Sequence, residues 1–324
     1  MNVGATVIMN DRDLAGLVLS EVPEISTEIN PDKIEVHNLN SSQTEINLYI
    51  EKNGTRNFVP LPKNSFVCQA QSKVFQTSLQ LDPYFEIRSK KVYQLKATVE
   101  CGKKNDLIFK HDSTSGEAIG IWHIANLAVQ KFHDIDRINF WKKKITINWP
   151  SNGDYYSFNS VHLTKGHFWD VVGHELGHAI YDQAKIGVFG GGSHKIDECY
   201  SHALALSEGW ASFFSAWLSI DLKDPDAKFE YMVPRRAPLR IEQIPEDVCK
   251  SEKNEWRVTG WLWDLVDLSA DQEQIEKNFT SFWDFTINKN FKKTSDIAKA
   301  LISRGHSQLE MEEVWQLNFL DDLK

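Results

Sequence analysis

The stretch His174-Glu175-Leu176-Gly177-His178 constrains this chain more than any other. Its flanks are uncharged or apolar at nearly every position (Val171, Val172, Gly173, Ala179, Ile180), which predicts a buried helix. On such a helix, residues four apart lie about 40° apart in azimuth, one turn up the same face. Both imidazoles therefore point one way and can hold a single Zn2+ with suitable ligand type and reach. Glu175 follows the first histidine, so its carboxylate stands beside that metal rather than on it. That is where a general base must stand to take a proton from an activated water. Two histidines and a glutamate on a buried helix are expensive to desolvate without a metal to bind them. The pentapeptide also arises by chance, so a third ligand has to be found.

A catalytic zinc takes three protein ligands and leaves its remaining position to water. The continuation His-x-x-Gly-x-x-His is absent, because Tyr181 and Ala184 stand where its Gly and His belong. Glu208 is the better candidate. Its segment, Ala203-Leu-Ala-Leu-Ser-Glu-Gly-Trp-Ala-Ser-Phe-Phe214, is strongly helical, and the face around it reads Ser201, Ala205, Glu208, Ala211, Ser212, Ser215. All but Glu208 are small, so a second helix can approach closely, while Leu204, Leu206, Trp210, Phe213 and Trp217 fill the surrounding core. A lone carboxylate on that strip needs a cation, either a metal or an Arg or Lys from elsewhere in the chain.

His174-Glu-x-x-His178 followed by Ser207-Glu-Gly-Trp-Ala211 resembles the gluzincin metallopeptidases. More narrowly it is similar to secreted bacterial proteins with a HExGH helix, an SEGWADF-like helix and a later LWDL-D segment, here Gly260-Trp-Leu-Trp-Asp-Leu-Val-Asp267. The strand Ile145–Pro150 and the run Val161–Leu163 fit as well, and the similarity spans roughly residues 115 to 285. The resemblance implies one Zn2+ per chain on His174, His178 and Glu208, with Glu175 activating water to hydrolyse peptide bonds. It also implies an oxyanion stabiliser from the helical half, for which Tyr231 and then His306 are the candidates. An edge strand that pairs with the bound peptide is implied too, assigned to Ser160, Val161, His162 and Leu163. In the gluzincins an acid four residues after the third ligand orients a zinc histidine; Ser212 stands there, and Asp182 is placed to share that role. An insertion of about 183–200 separates the two helices. The exopeptidase signature Gly-x-Met-Glu-Asn is missing, so an endopeptidase is expected over an aminopeptidase. The alternative is a metallopeptidase-like protein of weak or no activity that acts as a binding module.

The resemblance implies a peptide or protein substrate as partner, and composition sets the limits on other partners. With 36 basic against 45 acidic residues and a formal charge of −9, nucleic acid and anionic membrane are disfavoured. No apolar run reaches the length of a transmembrane segment. The opening residues lack a basic region and a long apolar stretch, so they do not read as a signal peptide. The metallopeptidase resemblance nevertheless implies a secreted or periplasmic protein. Cys68 and Cys101 lie early, Cys199 and Cys249 late; they form two disulfides in that pairing or remain four buried thiols.

The expected organisation is α+β, with a β-sandwich-like accessory domain over 1–110 and the metal-binding domain over 111–324. Alternating patterns predict half-buried antiparallel strands at 33–37, 45–50, 57–61 and 91–99. Helices are predicted at 116–133, 167–184, 196–220, 252–268, 279–288, 294–304 and 307–319, with short strands at 144–149 and 158–164. The glycine-rich stretch Gly187–His194 carries no phosphate-binding spacing and is expected to be a flexible loop or flap. The Trp256, Trp261 and Trp263 cluster is expected to be core.

Overall fold

The computed structural model describes residues 6–8, 18–20, 45–61, 74–78, 80–81, 83–98, 103–269 and 278–323. The expected strand at 33–37, Cys68 and Cys101 lie outside them. The chain is α+β and divides into two compact units, Met1–Asn126 with Lys144–His167, and Leu127–Lys143 with Phe168–Lys324. The expected break at residue 110 falls inside the first unit, because strands after residue 144 belong to sheets begun earlier in the chain.

In the first unit, β1 (Thr6–Ile8), β2 (Val18–Ser20), β5 (Val74–Ser78) and β8 (Gln94–Thr98) make one sheet, in the order β1-β2-β8-β5. A second sheet has β3 (Glu45–Lys52) between β4 (Thr55–Val59) and β9 (Lys104–Lys110). Asn53 and Gly54 close the β3–β4 hairpin at φ of 51° and 79°, the double positive φ that a tight hairpin turn requires. Ile46, Leu48 and Ile50 are buried at alternate positions, which places one face of β3 on the core. β3 pairs with β9 in parallel, Leu48 opposite Leu107 and Ile50 opposite Phe109, so the sheet is mixed and not wholly antiparallel.

The third sheet joins β6 (Gln80–Leu81) and β7 (Phe85–Arg88) to β10 (Ile145–Asn148), β11 (Tyr155–Ser157) and β12 (Ser160–His162), in the order β11-β12-β10-β7-β6. β7 and β10 run parallel, so the early strands do not close a sandwich of their own. Glu117, on the first turn of α1 (Thr114–Asp134), ties this unit together. Its carboxylate accepts from the Gly166 N–H at 2.8 Å and the Trp149 indole at 3.3 Å, and lies 3.0 Å from His167 Nδ1.

α1 runs from the first unit into the second. The second unit holds α2 (Trp169–Ala184), α3 (His202–Ser219), α4 (Glu255–Asp264), α5 (Phe279–Thr286), α6 (Thr294–Ser303) and α7 (Gln308–Phe319), with the short pair β13 (Lys228–Phe229) and β14 (Leu239–Arg240). α3 starts at His202 and not at 196, because Ser201 Oγ accepts from the Leu204 N–H and caps it. Trp210, Phe214, Phe132 and Trp283 pack an aromatic core, and Trp256, Trp261 and Trp263 are all buried. Burying such side chains favours folding by a few kcal/mol each, about 25 cal/mol per Å2 of apolar surface.

Cys199 and Cys249 form a disulfide across 50 residues of the second unit. Replacing both by serine is expected to cost roughly 2–4 kcal/mol of stability, read as a shift of the denaturant midpoint. An unchanged midpoint would show that the bond contributes nothing.

Candidate metal centre

The centre sits on α2 and α3, which lie against each other through small residues. A Cβ on Gly177 would fall 2.8 Å from the Ala211 carbonyl oxygen and 2.9 Å from its Cα. On Gly173 it would fall 2.5 Å from Ser215 Oγ, whose hydroxyl donates to the Asp170 carbonyl at 2.7 Å. Gly177→Ala must therefore push the helices apart. We expect it to cost about 1–3 kcal/mol and to weaken metal binding together with stability. Unfolding and metal-binding curves matching those of the parent would contradict this packing.

That close approach brings three ligand-type atoms into a near-equilateral triangle. His174 Nε2 and His178 Nε2 are 3.1 Å apart, and each is 3.1 Å from Glu208 Oε2. A tetrahedral zinc with bonds near 2.0–2.1 Å holds its ligand atoms about 3.3 Å apart, so the triangle fits such an ion. Glu208 Oε2 can accept from both rings, but the two imidazole nitrogens then face each other at 3.1 Å without a bond between them, whereas one cation satisfies all three contacts. His178 and Glu208 are buried at 5% and 7% exposure, and Glu175, one residue after His174, at 6%. Burial pushes the Glu208 carboxyl up, but positive charge on His178 and His174 and their hydrogen bonds outweigh it. The carboxyl is held well below the usual range.

Ser212 Oγ lies 3.0 Å from His174 Nδ1, opposite the nitrogen that faces the triangle, where it fixes the ring's orientation. Asp182 is exposed one turn beyond His178, and His178 Nδ1 is buried without a hydrogen-bond partner among the described residues. Tyr231 follows β13, its ring stacked on Phe168 and its N–H donated to Asp170 Oδ2 at 2.7 Å, one turn before His174 on α2. His306 is half-buried in the turn between α6 and α7, and no convergent ligand group among the described residues includes it. The edge-strand assignment needs correction. β12, with Ser160, Val161 and His162, is interior, pairing with β10 on one side and β11 on the other, and Leu163 N–H is donated to the Asn148 carbonyl. The outer strand at that end of the sheet is β11.

Two residues outside the predicted ligand set join the centre: His194, which the sequence did not mark as a ligand, and Glu255, which it did not single out. His194 Nε2 lies 3.7 Å from Glu208 Oε2 and 3.2 Å from Glu255 Oε2. Burial pushes the Glu255 carboxyl well up, and the charges of Glu208 and Asp197 push it further. The glycine-rich loop that carries His194 is anchored at several points. Val188 N–H is donated to the Phe291 carbonyl at 2.8 Å, and Gly190 exchanges hydrogen bonds with Ser207 Oγ on α3. Phe189 of that loop packs its ring against His178, with centroids 5.6 Å apart. His202, by contrast, faces Glu252.

The chain is α+β, and ligand-type side chains converge on two buried helices in the arrangement that could hold a metal ion. The model of the family described as Mycolysin C-terminal domain matches residues 137–307, more than half of the 324 residues, and the chain belongs to that family. The match takes in His174, Glu175, His178, His194, Glu208 and Glu255. It makes the chain peptidase-related and similar to secreted bacterial metallopeptidase-like proteins. None of the curated proteins matches the chain. No helix among the described residues is long and apolar enough to cross a membrane.

Proposed function

We propose that the chain is a zinc-dependent endopeptidase that hydrolyses peptide bonds with Glu175 as general base. The observation that carries this reading is the 3.1 Å triangle of His174, His178 and Glu208, with Glu175 adjacent on the same buried helix. A zinc ion bound there polarises the scissile carbonyl and acidifies water. The remaining chemistry is the chain's own. Glu175 accepts a proton from the attacking water as its oxygen bonds to the carbonyl carbon, then delivers that proton to the amine nitrogen as the C–N bond breaks. Ser212 holds the His174 ring in orientation through both steps. Membership in the Mycolysin C-terminal domain family supports the peptide-bond assignment, and a secreted or periplasmic location goes with it.

Cleavage of a peptide library with and without a chelator tests the reading. Chelation should abolish cleavage, and about one zinc per chain should restore it. Cleavage that survives complete removal of metal would overturn the mechanism. A protein that binds zinc and cleaves nothing would be a binding module of peptidase ancestry.

A further inference from the structure

We propose that Glu208 serves two cation sites, and that His194 and Glu255 complete the second. The inference rests on the reading above only in that Glu208 is shared. His194, Glu208 and Glu255 form a second convergent set whose ligand atoms all lie within 4.8 Å of one another. Glu208 and Glu255 keep only 9% and 11% of their side-chain surface exposed, and His194 28%.

The orientation of His194 points to a cation. Its Nδ1 lies 3.0 Å from the Gly192 carbonyl oxygen, which can only accept, so Nδ1 donates there and Nε2 is turned toward the two carboxylates. One imidazole nitrogen and two carboxylates converge in a largely desolvated space, an arrangement that a divalent cation satisfies. Metal-bound histidines characteristically donate their other N–H to a carbonyl or carboxylate, as His194 does here.

Among the described residues, no Lys or Arg pairs with Glu208 or Glu255; their ion-pair partners are histidines. Arg235 and Arg236 are engaged by Asp197 at 2.5–2.9 Å, and the Arg257 guanidinium by the Cys249, Asn318 and Val248 carbonyls. Asp197 itself adds negative charge near Glu255. Glu255 stands in the first turn of α4, the end of a helix where the dipole favours negative charge.

The set is also held in place. Asn254, the cap of α4, accepts from the Arg257 N–H and donates to the carbonyls of Ile196 and Glu198 at 2.8 and 2.9 Å. Cys249 N–H is donated to the Asp197 carbonyl, and the Cys199–Cys249 bond closes the same corner. These ties fix the loop after His194 to the start of the helix that carries Glu255. One histidine and two carboxylates, one of them shared, make this the weaker site. A nitrogen and oxygen donor set suits zinc, which is the probe of choice.

The experiment is a Zn2+ titration of the metal-free full chain against a chromophoric chelator, with native mass spectrometry of the same samples. The expected result is about two zinc ions per chain at saturation, the second held more weakly. Glu255→Gln, which keeps the side-chain shape, and His194→Ala, in a loop, should each weaken the second ion by about tenfold or more and leave the first bound. Saturation at one zinc overturns this proposal alone. A second ion that both variants leave unchanged does the same. No zinc at all overturns this proposal and the zinc peptidase reading together.

Discussion

Glu175→Gln is expected to retain its zinc and lose peptide cleavage by about 10^2- to 10^4-fold, the usual contribution of a positioned acid–base group. Glutamine keeps the size and hydrogen-bonding outline of glutamate but cannot take up a proton from water. The side chain lies on α2 next to His174 and outside both convergent ligand groups, so the triangle of metal ligands should persist. The loss should appear in kcat rather than in zinc content, because the proton is transferred only as the reaction proceeds. Zinc content, the unfolding curve and cleavage rate measured on one preparation separate the possibilities. A variant that keeps both its zinc and its rate removes Glu175 from the mechanism. A variant that loses its zinc makes Glu175 a structural or ligating group instead.

Much of the centre was legible because helical period and side-chain size act locally. The glycines of α2 and the small residues of α3 announce a close approach, and the structure sets Gly177 on Ala211 and Gly173 on Ser215. Glu208 stands out on its strip because a carboxylate is the one residue there with no packing purpose. Glu255 gave no such sign. It reads as an ordinary acidic residue in the first turn of α4, and its burial comes from the loop around His194, which Asn254 and the disulfide fold back upon it. His194 lies among glycines with no period to place its ring, so only the tertiary anchors at Phe291 and Ser207 bring it to the site. The sheets show the same limit. The alternation in β3 marks its buried face correctly, but nothing local tells it to pair in parallel with β9, or tells β7 to pair with β10.

Glu208→Ala is expected to lower zinc affinity by more than about 100-fold, since even outer residues of a metal site are worth 10–100-fold. The effect should exceed that of Ser212→Ala, which removes only the oxygen 3.0 Å behind His174 Nδ1. Two consequences separate a ligand from a structural carboxylate. In the metal-free parent the Glu208 carboxyl is held well below the usual range, so it contributes stability at neutral pH that is lost as the pH falls far into the acid range. The metal-free variant should lack that acid-dependent contribution, read as a smaller difference between its neutral and acid unfolding midpoints. Glu208 also belongs to both ligand groups, so one substitution should abolish both zinc-binding phases, whereas Glu255→Gln abolishes only the weaker. Zinc titration of the parent and the two variants reads this directly. If Glu208→Ala binds zinc like the parent, the carboxylate is a packing residue and the third ligand must be sought elsewhere.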